Sequence, residues 1–281
     1  MMKKGISIWS FRGKSLQESF ALAKKADFDG VEVALAEDGE IRLDSSPNGL
    51  KQVKRQADDA GIELYSVASG LYWKYSLTSD DPAQRAKAES VAKTQLDTAA
   101  ALGCETVLIV PGAVSVCFAP ELGVVSYDKA YERSVEAMGR LAGYAAKVKV
   151  SIGVENVWNN FLLSPLEMRD FIDKIDSPWL GSYFDVGNVL YTGYPEQWIQ
   201  ILGKRIKKVH FKDYRRAAGC LDGFVDLLAG DTDYPAVISA LKNTGYDGWL
   251  TAEMIPPYRH YSDTIVYNTS RAMDSIIGGS K

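Results

Sequence analysis

The sequence is poor in cysteine and histidine, and this scarcity excludes several kinds of site. The 281 residues include three widely spaced cysteines, Cys104, Cys117 and Cys220, and no Cys-x-x-Cys pair. Neither a disulfide framework nor a thiolate zinc site is indicated, and a reducing cytosol fits this pattern best. Only two histidines occur, so a site built from several imidazole ligands is also disfavoured.

Long apolar runs and an excess of positive charge are missing as well. No apolar stretch approaches the ~18 residues typical of a membrane span, and Met1-Met-Lys-Lys4 is not followed by a signal-type apolar segment. The net charge is −4, which gives no electrostatic support to a nucleic-acid or anionic-membrane partner. We expect a cytoplasmic protein that binds a small molecule, and a homo-oligomer is compatible with the sequence.

Eight β-rich runs alternate with segments of helical periodicity, such as 82–102 and 127–148. The predicted strands are Gly5–Phe11, Val31–Leu35, Ile62–Ser69, Thr106–Pro111, Ile152–Glu155, Gly181–Asp185, Lys207–Phe211 and Trp249–Met254. This alternation predicts parallel β-α units. No G-x-G-x-x-G follows the first strand, which disfavours an open dinucleotide-binding sheet. Eight units predict one α/β domain over residues 1–281, a (β/α)8 TIM barrel with its active site at the carboxyl ends of the strands.

Four of the predicted strands end in a side chain that can bind a metal. These side chains are Glu155, Asp185, His210 and Glu253. Each one alone has a simpler explanation, such as core packing for the histidine or a turn cap for the aspartate. Together they favour a divalent ion, because buried carboxylates need a partner. A nitrogen and oxygen ligand set without sulfur suits Mn²⁺ best, with Mg²⁺, Co²⁺ or Zn²⁺ as alternatives.

Polar and aromatic residues that could contact a substrate follow the same strands. The candidates are Trp9, Trp73, Asn156, Asn188, Lys212 and Arg216. Asparagine and basic side chains can hydrogen-bond hydroxyl or phosphate oxygens, and aromatic rings can stack on a sugar and exclude water. The segment from Leu71 to Asp81 is rich in tyrosine and tryptophan, so we expect it to form a lid or a wall at the mouth of the site.

Over nearly its whole length, and most strongly from residue 150 onward, the chain resembles the xylose-isomerase-like barrel superfamily, in particular its sugar-phosphate isomerase and ketose 3-epimerase branch. The matching motifs are Gly153-Val-Glu-Asn156, Tyr183-Phe-Asp-Val-Gly-Asn188, Lys208-Val-His-Phe-Lys-Asp213 and Tyr246-Asp-Gly-Trp-Leu-Thr-Ala-Glu-Met254. The resemblance implies that the four residues are metal ligands, and that Glu155 and Glu253 are also the catalytic acid/base pair. Two positions depart from the branch: Asn188 stands where a histidine is frequent, and Leu227-Leu-Ala-Gly230 replaces a Leu-Gly-Glu-Gly segment.

The resemblance implies a metal-dependent isomerase or epimerase of a ketose or ketose phosphate. Such an enzyme moves a proton between two glutamates through a metal-stabilised enediolate. The same constellation would also suit an inosose-type dehydratase or a catalytically silent sugar-binding protein. A barrel endonuclease with several zinc ions would need more than two histidines. The choice between epimerisation and isomerisation is left open by the sequence.

Overall fold

The computed structural model describes residues 2–278 and contains a closed barrel of eight parallel strands. The barrel strands are β1 (Lys3–Ser7), β2 (Gly30–Ala34), β3 (Glu63–Ala68), β4 (Thr106–Ile109), β5 (Ser151–Glu155), β6 (Leu180–Asp185), β7 (Ile206–Phe211) and β10 (Trp249–Ala252). Each strand pairs with the next along the chain, and β10 pairs with β1 to close the ring. The predicted TIM barrel is therefore confirmed.

Eight helices surround the barrel, one after each strand or its loop. They are α1 (Leu16–Lys25), α2 (Pro47–Ala60), α3 (Pro82–Leu102), α4 (Tyr127–Val148), α5 (Pro165–Ile175), α6 (Pro195–Leu202), α7 (Tyr234–Asn243) and α8 (Asp263–Gly278). The bounds of α3 and α4 agree with the predicted helical segments. No helix among residues 2–278 combines the length and the apolar character that a bilayer crossing requires.

Local signals in the sequence explain where the helices begin and end. Ser164 caps α5 by accepting a hydrogen bond from the backbone N–H of Glu167, as the Ser-x-x-Glu pattern predicts. Gly61 and Gly103 end α2 and α3 in the left-handed conformation, which glycine adopts without a Cβ penalty. These tight joints lie at the amino ends of the strands and leave the longer loops at the opposite end.

The first strand differs from its prediction. The sequence predicts a strand over 5–11, whereas β1 ends at Ser7 and Ile8–Ser10 forms a 3-10 turn. The apolar pattern continues past the strand because Trp9 lines a cavity at the carboxyl end of the barrel. An apolar pattern indicates that residues are buried and does not by itself indicate a strand. Here the partly buried residues after Ser7 form a turn.

A small antiparallel hairpin above the barrel was not predicted. Its strands are β8 (Asp213–Tyr214) and β9 (Phe224–Val225), both within the loop between β7 and α7. The Asp213 carboxylate organises this loop, because it accepts hydrogen bonds from the backbone N–H groups of Leu228, Gly230 and Thr232. Gly230 is needed there, since a Cβ at this position would lie 2.2 Å from an Asp213 oxygen.

Candidate metal centre and adjoining cavity

Four ligand-type side chains meet at the carboxyl end of the barrel. Glu155 ends β5, Asp185 ends β6, His210 lies one residue before the end of β7, and Glu253 directly follows β10. One ligand atom from each lies within 4.8 Å of all the others, and all four residues are buried. Because parallel strands end at one rim of the barrel, residues far apart in the sequence converge there.

Backbone and side-chain contacts hold Asp185 in one orientation. The amide of Asn156 accepts a hydrogen bond from Asp185 N at 2.9 Å and donates one to Asp185 O at 2.8 Å. The backbone N–H of Asn188 donates to Asp185 Oδ1 at 2.8 Å. Oδ1 is therefore occupied by a protein donor, and Oδ2 is the oxygen that faces the cluster.

Glu32 contacts the His210 nitrogen that faces away from the cluster, and it was not among the residues predicted from the sequence. Its Oε1 lies 3.0 Å from His210 Nε2, its Oε2 accepts from the hydroxyl of Tyr183, and its side chain is fully buried. The pairing of β2 with β3 shifts register between Val31 and Val33, and such irregularities re-aim side chains near active sites. A carboxylate on Nε2 places the ring proton there and leaves Nδ1 free to bind a metal.

Buried polar atoms without a hydrogen-bond partner provide a test of whether a metal fits. Within residues 2–278, these atoms include Asp185 Oδ2, His210 Nδ1 and Glu253 Oε2. The two carboxylate oxygens have an ion-pair contact with the ammonium of Lys212, whereas His210 Nδ1 faces only carboxylate oxygens. His210 Nδ1 lies 3.4 Å from Glu155 Oε1 and 3.5 Å from Glu253 Oε2. Leaving such groups unsatisfied costs about 1–3 kcal/mol each, and more when they are charged. A divalent cation among them would satisfy all of these atoms, so the residues fit a metal.

The electrostatics of the cluster favour positive charge. Burial raises the pKa of Glu155 to about 7, and neighbouring Glu253 adds to this rise against the opposing effects of His210 and Lys212. Burial disfavours the protonated form of His210, yet the carboxylates of Glu32 and Glu253 raise the pKa of the imidazole well above its usual value. A field that holds a proton on imidazole also attracts a cation, and a metal ion would compete for the same nitrogen.

Lys212 is a fixed cation beside the cluster. Its Nζ lies 3.0 Å from Asp185 Oδ2 and also contacts Glu253 Oε2. Burial alone would lower the pKa of Lys212, but Asp185, Glu253 and Glu155 raise it. Lys212 therefore stays protonated, and its charge is already matched by two carboxylates.

A cavity of about 630 Å³ opens above the cluster. Its walls are mainly apolar and aromatic, and they include Trp9, Trp73, Trp158 and Phe224. Of the four cluster residues, Glu155 and Glu253 line this cavity, whereas Asp185 and His210 lie behind them with no exposed surface. Apolar walls with a few convergent polar groups are typical of small-molecule sites.

The structure brings four of the six expected substrate contacts to this cavity. Trp9, Trp73, Asn188 and Lys212 line it. Asn156 does not, because both ends of its amide are used to hold Asp185. Arg216 does not either: it donates to Gly193 O at 2.9 Å, and its guanidinium lies 4.8 Å from the centre of the Tyr194 ring.

The segment after β3 forms part of the cavity wall and is tied down along its length. Tyr72 donates to Gln95 at 2.6 Å, and the Thr78 hydroxyl donates to Ala113 O at 2.7 Å. The ring of Trp73 packs edge-on against Phe118 with centroids 5.0 Å apart. Of the two expectations for 71–81, these anchors favour a wall over a lid.

Comparisons with known proteins agree with this architecture. The sequence model of the family described as xylose isomerase-like TIM barrel matches residues 20–269. A putative L-ribulose-5-phosphate 3-epimerase of Escherichia coli is 26% identical over 85% of this chain and 84% of its own. An L-ribulose 3-epimerase of Methylomonas is 27% identical over 87% of this chain and 79% of its own.

Solved structures show the same fold. A D-tagatose 3-epimerase-like protein superposes with a TM-score of 0.82 at 22% identity, covering 99% of this chain and 98% of that one. D-psicose 3-epimerase, solved in the presence of D-fructose, gives a TM-score of 0.81 at 17% identity, covering 99% and 100%. Both comparisons extend the likeness over essentially the whole barrel.

Proposed function

Because the chain belongs to the xylose isomerase-like TIM barrel family, we propose that it is a metal-dependent ketose 3-epimerase. It is an enzyme, since the named relatives that match most of its length are sugar epimerases. The proposed reaction removes the proton from the carbon next to the ketose carbonyl and returns a proton to the opposite face of that carbon.

One observation carries the proposal: of the four clustered residues, Glu155 and Glu253 reach the cavity. The other two, Asp185 and His210, are sealed behind them. A group that exchanges protons with a substrate must be within reach of it, whereas a metal ligand need not be. Glu155 and Glu253 are thus the candidate acid/base pair, and all four residues are candidate ligands.

The placement of the two glutamates suits inversion at one carbon. Glu155 ends β5 and Glu253 follows β10, and β6 and β7 lie between these two strands in the barrel. The carboxylates therefore approach a substrate from different sides. One glutamate accepts the proton and leaves an enediolate, and the other donates a proton to the opposite face. Delivery to the adjacent C2 would instead move the carbonyl to C3, and aldose–ketose isomerisation would need the proton to be removed from C1.

The metal set proposed here is Glu155, Asp185, His210 and Glu253. Oxygen and imidazole ligands without sulfur suit Mn²⁺ first, then Mg²⁺, Co²⁺ or Zn²⁺. When bound, such an ion supplies Lewis acidity that makes the C–H bond next to the carbonyl more acidic. Asn156 and Glu32 position Asp185 and His210. Around the substrate, Trp9 and Trp73 offer rings for stacking, and the side chain of Asn188 offers polar contacts.

Proton exchange with solvent tests the proposal. We expect the enzyme, supplied with Mn²⁺ in D₂O, to introduce deuterium at C3 of a ketose substrate and to form its C3 epimer, both visible by proton NMR. Glu155→Gln and Glu253→Gln should each lower the epimerisation rate by ~10²–10⁴-fold, because an amide cannot carry the proton. Glu132→Gln, which changes an exposed glutamate on α4, is the matched control and should retain the rate.

Two results would contradict the proposal. Conversion of the ketose to an isomer without any solvent deuterium would indicate a hydride shift between adjacent carbons in place of proton transfer at C3. Loss of water from the substrate, detected by mass spectrometry, would identify a dehydratase acting through the same enediolate.

A further inference from the structure

We propose that the substrate is an uncharged ketose extended at the end remote from the carbonyl by a neutral group, such as a second sugar ring, and that ketose phosphates are rejected. This inference rests on the proposed function and adds the class of substrate to it. Its support comes from the charges and the shape of the space above the cluster.

The first support is the shortage of cations for a phosphate. Two adjoining cavities open at this end of the barrel, and across residues 2–278 Lys212 is the one basic side chain that lines either of them. Its ammonium is already matched by Asp185 and Glu253. A phosphate ester adds roughly two negative charges, and the described residues lining these cavities offer no second basic side chain to pair with them.

The second support is the charge of the loops after the last strands. In TIM barrels these loops commonly form the phosphate site. Here a recess of about 90 Å³ at this position is lined by Asp213, Asp226 and Glu253, with Lys212 as its basic residue. Asp226 also accepts a hydrogen bond from the Tyr258 hydroxyl, which ties the two loops together around an acidic surface. An anion is disfavoured at this position.

The third support is the size and lining of the space. The second cavity measures about 640 Å³ and shares Trp158, Asn188 and Leu221 with the first. Each volume falls within the roughly 300–1,000 Å³ that accommodates drug-sized ligands, which is more room than one sugar ring needs. Trp158 packs against Tyr191 and Phe224 at centroid distances of 5.8 and 5.6 Å. This aromatic groove offers faces for a neutral ring beyond the reacting carbons.

Three ketoses that differ only at C6 test the inference: D-fructose, D-fructose 6-phosphate and 6-O-glucosyl-D-fructose. Trp9, Trp73 and Trp158 line the cavity, so tryptophan fluorescence reports binding whether or not turnover occurs. We expect the glucosyl compound to bind at least as tightly as fructose, and the phosphate to bind at least tenfold more weakly than fructose. The ratios of kcat/KM should follow the same order.

A variant at the rim tests whether the shortage of basic side chains causes the weak binding of the phosphate. Leu221 lies on the rim shared by the two cavities and is 39% exposed. Leu221→Arg should raise the affinity for fructose 6-phosphate severalfold relative to Leu221→Gln, which changes size and polarity without adding charge. The affinity for fructose should be similar in the two variants.

Three outcomes would overturn the inference: tighter binding of the phosphate than of fructose, exclusion of the glucosyl compound, or equal phosphate affinity in the Arg and Gln variants. These results leave the proposed function intact if deuterium exchange at C3 is still observed. Absence of both binding and exchange for every ketose would instead remove the proposed function itself.

Discussion

Glu32 shows how one buried side chain can orient a candidate metal ligand that it contacts directly. It is fully buried, and it pairs with Nε2 of His210 and accepts a hydrogen bond from the hydroxyl of Tyr183. The pKa of Glu32 is lowered because its contacts with His210 and Tyr183 outweigh the opposing effect of burial. An ionised Glu32 therefore fixes both the orientation and the tautomer of the imidazole.

We expect Glu32→Gln to weaken metal binding. The amide keeps the size of the side chain but loses the charge that holds a proton on His210 Nε2, so metal affinity should fall by about 10–100-fold. Competition with a chromogenic chelator measures the affinity, and circular dichroism checks that the barrel is still folded. Glu132→Gln serves again as the control. Unchanged affinity in a folded Glu32→Gln protein would show that Glu32 is only a packing residue.

At the scale of secondary-structure elements, helix bounds and strand ends could be predicted because they depend on local sequence patterns. Helices α3 and α4 begin and end where their periodicity and caps place them. The four clustered residues were predictable because each ends an apolar run. Glu32 was missed because it lies inside a strand between Val31 and Val33, where the available signal was a carboxylate at a position that should be apolar.

Other differences have a three-dimensional cause. Arg216 follows β7, as predicted, but it lies in the connection between β8 and β9. There the guanidinium of Arg216 lies over the ring of Tyr194. Asn156 was expected at the substrate, but its amide binds the backbone of Asp185, and the residue lines the second cavity instead of the one above the cluster. Neither the path of a long loop nor competition for a hydrogen bond is encoded in the periodicity of the sequence.

The wall formed by 71–81 gives a prediction about substrate affinity. Trp73→Ala removes a ring from the cavity without cutting the anchors at Tyr72 and Thr78, so KM should rise by about tenfold, the order expected for lost ring contacts, with a smaller change in kcat. Steady-state kinetics would measure both constants. Lys74→Ala alters the next residue, whose side chain is 58% exposed, and should leave KM unchanged. An equal effect of the two substitutions would mean that the wall acts only through the stability of its turn.

At the scale of the whole molecule, the cluster links distant parts of the barrel. Its four residues come from β5, β6, β7 and the segment after β10, so an ion bound among them would connect half of the ring. An ion that binds only the folded state stabilises that state by mass action, by about 2.7 kcal/mol at a hundred times its Kd.

We therefore expect Mn²⁺ to raise Tm by several degrees and a chelator to reverse this effect. Differential scanning calorimetry over a range of Mn²⁺ concentrations would measure the shift. In Asp185→Asn the shift should be lost, because the amide removes a charge that the ion needs and leaves the remaining ligands poorly compensated. A Tm that is independent of Mn²⁺ in the wild-type protein would argue against a metal in this cluster.

The loop held by Asp213 has a consequence for how such an enzyme can change over evolution. Its shape comes from one buried carboxylate that gathers the backbone N–H groups of Leu228, Gly230 and Thr232. The residues that meet the cavity, Leu221 and Phe224, lie between these anchors and take no part in them. Substitutions at the rim can therefore accumulate without unfolding the loop, so the range of accepted molecules can drift while the proposed acid/base residues below are inherited unchanged.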